Sequence, residues 1–161
     1  MRRRAALFLA SALSTVACGQ ALAHEYRAGG MLVVHPWLAA TDATATEAAA
    51  FLTLKNQGSE PDRLVSVFVP GATSFKFEAT ETGEPLKGEP VKALAVQPAG
   101  KIKLKPGTGY ILLQGIKGPV KEGHMIEGTV TFEKAGTIPV GFWVQDASST
   151  SATCASNPDG E

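Results

Sequence analysis

The sequence predicts an all-β domain, a sandwich or a barrel, on three observations. Short runs rich in Val, Ile, Leu and Phe alternate with polar residues. Clusters of Gly, Pro, Asn and Asp punctuate those runs about every 8–12 residues, a rhythm typical of all-β domains. No segment sustains a helical apolar period for more than about two turns.

Each predicted strand has its own local reason. Met31–His35 is apolar and β-branched, and Pro36 is expected to stop it because proline brings no N–H to a ladder. Ala48–Asn56 ("AAAFLTLKN") is closed by Gln57-Gly58, and Arg63–Val69 ("RLVSVFV") alternates until Pro70-Gly71. Ser74–Glu78 is short, with Phe75 and Phe77 two apart and so on one face. Lys101–Leu104 precedes the Pro106-Gly107 turn, and Gly109–Gln114, Met125–Phe132 and Thr137–Val144 complete about eight strands. The Ala-rich "ATDATATEAAA" reads mainly as a loop feeding the second strand.

The ends read differently from the middle. Arg2, Arg3 and Arg4 precede an apolar run over Ala5–Ala17 that is too short to span a bilayer. Ala21-Leu22-Ala23 has the small-x-small form of a cleavage site. Residues 1–23 are therefore expected to be a signal peptide, 24–145 the β-sandwich domain, and 146–161 ("DASSTSATCASNPDGE") a disordered tail. Cleavage after Ala23 makes His24 the mature N-terminus. The alternative is acylation of Cys18, for which Thr15-Val16-Ala17 is an imperfect recognition sequence because Leu is usual at the first of those positions. If the leader is removed, three of the 15 basic residues and none of the 15 acids go with it, leaving a net charge of −3. Nothing in that balance points to nucleic acid or to an anionic membrane surface, and no stable membrane insertion is expected. Cys154 then stands alone, so no internal disulfide is expected.

No nucleophile–base motif and no Gly-rich phosphate loop is present, so the sequence proposes no enzyme. The three histidines, His24, His35 and His124, are scattered. His24 is the leading candidate metal ligand, since a free α-amine beside its imidazole would chelate Cu(II), and the Cys154 thiol could also serve as a soft copper ligand. His35 and Met31 share a face but lie about 13 Å apart along a strand, too far for one ion. His124 and Met125 are adjacent and point to opposite faces. The strands holding Tyr110 and Met125 are expected to be antiparallel neighbours, which puts His124 one strand length, roughly 15–20 Å, from Tyr110. Trp37 and Trp143 read as packing residues.

Four segments, "RAGGMLVVHPW", "AAAFLTLKNQGSEPDRLVSV", "LKPGTGYILLQGIKGPVKEG" and "GTVTFEKAG", follow one another in the order and spacing of the PCu(A)C periplasmic copper chaperones. The resemblance runs from about His24 to Val144. It implies a cupredoxin-like, immunoglobulin-like β-sandwich and a non-enzymatic role in copper homeostasis, with copper-delivery or respiratory oxidase assembly proteins as partners. The family binds Cu(I) through H-x10-M-x21-H-x-M, a soft-donor set suited to that ion. Here Tyr110 and Leu112 stand at the H-x-M positions, Gly88 at the middle Met, and Phe77 or Glu78 at the first His. The resemblance thus implies a periplasmic family member with a degenerate metal site, copper being left to His24. The alternative is a metal-free interaction module with an apolar patch around Phe77, Tyr110 and Leu112.

Overall fold

The computed structural model describes residues 25–146 and 148. Ten strands form: β1 (Glu25–Ala28), β2 (Met31–Ala39), β3 (Glu47–Asn56), β4 (Asp62–Phe68), β5 (Ser74–Glu78), β6 (Leu94–Val96), β7 (Lys101–Lys103), β8 (Tyr110–Gln114), β9 (Met125–Phe132) and β10 (Gly136–Gln145). There is no helix among the described residues. The all-β expectation holds, and eight expected strands are present, with one-residue shifts at some ends and a four-residue extension of β2. The short strands β1 and β6 are additional, and "ATDATAT" is a loop tied by Asp42, whose Oδ1 accepts from the backbone N–H groups of Thr44 and Ala45.

The ladder runs β5-β8-β3-β2-β10-β9-β4-β6, with β1 beside β2 and β7 beside β3. All pairs are antiparallel except β2 with β10. The sheet curls around one apolar core that includes Phe77, Phe132, Phe142, Leu38, Leu54 and Ile111. Its two ends approach at β4 and β5, which together line an open groove containing Phe68 and Phe75. Non-directional burial of alternate residues closes the sheet in this way, since both ends gain by covering the same core.

Two expectations about connectivity are corrected. Pro36 does not end β2. The pairing shifts between Val34↔Thr53 and Trp37↔Phe51, so β2 carries one extra residue there. This is a β-bulge, the setting in which a strand tolerates proline. His35 sits in it with φ 53°, a left-handed conformation that histidine adopts more readily than most residues. The bulge divides β2: its first half pairs with β1 and its second with β10. Likewise, β8 and β9 are not neighbours, because β3, β2 and β10 lie between them.

Two polar residues inside the fold explain the "N-x-G" and "D-R-L" pieces of the sequence. Asn56, 3% exposed, donates to the carbonyls of Glu60 and Val96 and accepts from the N–H of Gly58. Asp62 accepts from the N–H groups of Arg63, Lys134 and Ala135 at 2.7, 2.9 and 2.9 Å. These bonds satisfy turn donors that no strand can reach. Both residues are structural.

Candidate functional site

The outer face of the sheet carries a cross-strand row. Directly opposed residues in a ladder point to the same side. Met125 pairs with Trp143, Trp143 with Trp37, and Trp37 with Phe51. The next register step brings Phe51 to Tyr110, which pairs with Glu78. Six strands therefore contribute Met125, Trp143, Trp37, Phe51, Tyr110 and Glu78 in line. Trp37 and Phe51 stack with centroids 4.3 Å apart, and Phe51 meets Tyr110 at 6.3 Å in a tilted arrangement. Trp37 and Phe51 are 7% and 6% exposed although they lie outside the main core. The row is a second, smaller hydrophobic cluster, held by aromatic contacts worth about 0.5–1.5 kcal/mol per pair beyond burial.

The bulge at His35 makes this row. An unbroken β2 would place Pro36, not Trp37, on the face of Leu32 and Val34. The extra residue moves Trp37 there instead. At the far end Gly109 precedes Tyr110 and donates to the Gly83 carbonyl at 3.1 Å. A Cβ on Gly109 would lie 2.2 Å from Ala79 Cβ, so only glycine lets the 80–84 turn pack beside the Tyr110 strand.

The sequence left Phe77 and Glu78 as alternatives, and the register separates them. Phe77 opposes Ile111 and is 1% exposed, pointing into the core. Glu78 opposes Tyr110, and Lys76 opposes Leu112. Glu78, Tyr110 and Leu112 thus share the outer face, all half-buried. The apolar patch expected around Phe77 is corrected accordingly: Phe77 contributes nothing to a surface and packs edge-on to Phe75 at 5.3 Å. Gly88 is exposed in the connection between β5 and β6, with no neighbouring atom within 4 Å of a Cβ built there.

The remaining candidates do not converge on one ion. Met31 is buried in the main core, whereas His35 reaches Gln145, with Nε2 atoms 3.3 Å apart. The expected shared face of Met31 and His35 is lost at the bulge. His124 is exposed and lines an open pocket of about 270 Å³ with Leu38, Ile116, Val120 and Ile126. Its neighbour Met125 is four strand spacings from Tyr110, roughly 19 Å around the sheet. The expected separation has about the right size, but it runs across the strands rather than along one. His24, Cys18 and Cys154 lie outside the described residues. Among the described residues no three His, Cys, Asp or Glu side chains gather as a metal site, and no helix is long and apolar enough to cross a membrane.

Residues 31–144 match the family described as "Putative lipoprotein LpqE-like". The chain belongs to the LpqE-like family. A relative from Leifsonia xyli subsp. xyli (strain CTCB07), named "Putative lipoprotein Lxx21020", is 31% identical over 124 residues, covering 76% of this chain and 74% of its own. The LpqE-like fold is that of PCuAC domains. The copper-bound PCuAC domain from PmoF2 superposes with a TM-score of 0.68 at 28% identity, covering 76% of this chain and 98% of that domain. The apo PCuAC domain from PmoF1 gives 0.67 at 31% identity, covering 76% and 99%. The Cu(I) form of DR1885 from Deinococcus radiodurans gives 0.61 at 25% identity, covering 81% and 86%. The family resemblance and the β-sandwich class expected from sequence are both borne out.

Proposed function

We propose that this LpqE-like protein is an exported, non-enzymatic member of the PCuAC copper-chaperone type that does not hold Cu(I) at the usual site. One observation carries the reading. The register puts Glu78, Tyr110 and Leu112 together on the outer face, where the His and the His-x-Met pair of the PCuAC pattern are expected. The scaffold that would assemble a soft-donor site is therefore kept, and the donors are a carboxylate, a phenol and an alkane. A phenol oxygen and a carboxylate are hard donors and poor partners for Cu(I). The protein then serves copper handling through its surface, with copper-delivery or respiratory oxidase assembly proteins as the partner class.

The names of the relatives favour acylation of Cys18 over cleavage after Ala23. Val16 and Ala17 suit a lipoprotein leader, and Thr15 is the one departure. The two outcomes are chemically exclusive for His24. Cleavage after Ala23 gives His24 a free α-amine and a chelate for Cu(II). Acylation leaves His24 inside the chain, where its imidazole is a single ligand. In either case the domain is placed outside the cytoplasm, in the periplasmic compartment of the exporting cell. The intact mass of the processed N-terminus decides between them. Cu(I) titration against a competing chelator tests the copper reading, which expects no tight site in the native chain. Tight Cu(I) binding abolished by Tyr110→Phe or Leu112→Ala would overturn it.

A second reading has its own observation. Tyr110 and Trp143 are half-buried and pack on the buried Trp37 and Phe51, so part of an aromatic surface survives without Phe77. This favours a metal-free protein-interaction module, tested by whether Tyr110→Ala changes partner capture while leaving the melting temperature near that of the native chain.

A further inference from the structure

We propose that the outer face of β1, β2, β3 and β7 is a cationic surface that rests on anionic lipid headgroups. The register places Arg27, Leu32, Lys55 and Lys101 in one cross-strand row, and Glu25, Val34, Thr53 and Lys103 in the next. Both rows point outward, because Val33, Leu54 and Ile102 between them belong to the core. Lys101, Lys103 and Lys105 are exposed, and Lys55 is half-buried. Glu25 is the only carboxylate in the two rows, and it is engaged by Arg27 at 3.3 Å. Among the described residues none of these lysines has a carboxylate within ion-pair distance. Lys55 and Lys101 stand directly opposite one another, an arrangement that costs stability in an antiparallel pair. A like-charge pair kept on a face whose one carboxylate is already paired with Arg27 is explained if an anionic surface covers it.

The position of the chain entry selects lipid as that surface. This step rests on the acylation of Cys18 proposed above. Glu25, where the described chain begins, lies in the same row as Lys103, three strand spacings or about 14 Å away. Six residues lie between Cys18 and Glu25, and the seven steps reach at most about 24 Å. An acyl anchor at Cys18 therefore keeps this face within reach of the bilayer. Acylation by itself supplies no orientation, whereas a basic patch beside the anchor supplies both orientation and a second attachment.

The test uses the chain from residue 19 onward without the acyl group, since it retains every strand and core residue found among the described residues. It is mixed with phosphatidylcholine vesicles, with or without about a third phosphatidylglycerol, and sedimented. The expected result is partitioning to the anionic vesicles only, weakened by about 0.5 M salt, which shortens electrostatic reach to a few ångströms. Each cation near such a surface strengthens partitioning by about fivefold. The double variant Lys101→Glu, Lys103→Glu is thus expected to lose at least about 25-fold, with an unchanged melting temperature as its folding control. Absence of binding, or equal binding to neutral vesicles, overturns the proposal. Palmitate labelling of the full chain with Cys18 or Cys18→Ser is scored separately. Labelling absent while the unacylated chain binds anionic vesicles supports the cationic face and removes the anchor. Labelling present while the unacylated chain fails to bind keeps the anchor and overturns the face.

Discussion

Returning the missing donors is expected to return the copper. The variant is Glu78→His, Gly88→Met, Tyr110→His, Leu112→Met. Glu78 and Tyr110 are direct partners in an antiparallel ladder, so their Cα atoms lie about 4.5–5.5 Å apart, and Leu112 is two residues along the same face, about 7 Å from Tyr110. Imidazole and thioether side chains from those three points can meet one ion lying above the strands. Position 88 sits in an open connection with room for the methionine. A ligand that binds the folded state alone stabilises it by about 2.7 kcal/mol at a free concentration 100 times its Kd. For a domain of this size that raises the melting temperature by roughly 10 °C. The assay is thermal unfolding under reducing, anaerobic conditions with and without Cu(I), beside competition with a chromophoric chelator. The native chain is expected to show no such rise. A variant that folds but gains no Cu(I) affinity would refute the geometric reading of the β5/β8 face.

Three further outcomes follow from the same structure. Asp62→Ala strands the N–H groups of Arg63, Lys134 and Ala135 and is expected to cost about 3 kcal/mol in denaturant unfolding, while Asp62→Asn retains part of that. His35→Gly is expected to be tolerated at φ 53° and His35→Val to destabilise by about 1–2 kcal/mol more, read as the difference in melting temperature between the two variants. The exposed Glu60–Lys134 pair, 2.9 Å apart, holds the Glu60 carboxyl below its usual range through the Lys134 hydrogen bond and charge. The resulting stability is present above the ordinary carboxylate pKa and fades as pH falls through the lowered one. The gap between native and Lys134→Met unfolding curves is therefore expected to shrink in acid and in high salt.

The strands that were legible in the sequence are those with several alternating residues. β3, β4 and β9 each show a face, and burial follows the alternation. β1 and β6 have four and three residues, too few for a period to register, and are strands because β2 and β4 offer them partners. β2 was cut short at Pro36 because the rule for proline in strands carries no knowledge of a bulge, and the bulge depends on pairing with β3 and β10. The site was half legible. Tyr110 and Leu112 share a face by simple parity, but the choice between Phe77 and Glu78 needed the β5/β8 register. The row from Met125 to Glu78 draws one residue from each of six strands, and no local pattern announces it. The assumption that β8 and β9 pair failed because the 115–124 connection carries the chain across the sheet rather than back along its neighbour.

The measurement that tests the central claim most directly is Cu(I) titration of the native chain, from residue 19 and from residue 24 in parallel. The account predicts no tight Cu(I) site in either form and Cu(II) binding only where His24 bears a free α-amine. Tight Cu(I) binding in both forms, lost on changing Glu78, Tyr110 or Leu112, would contradict it.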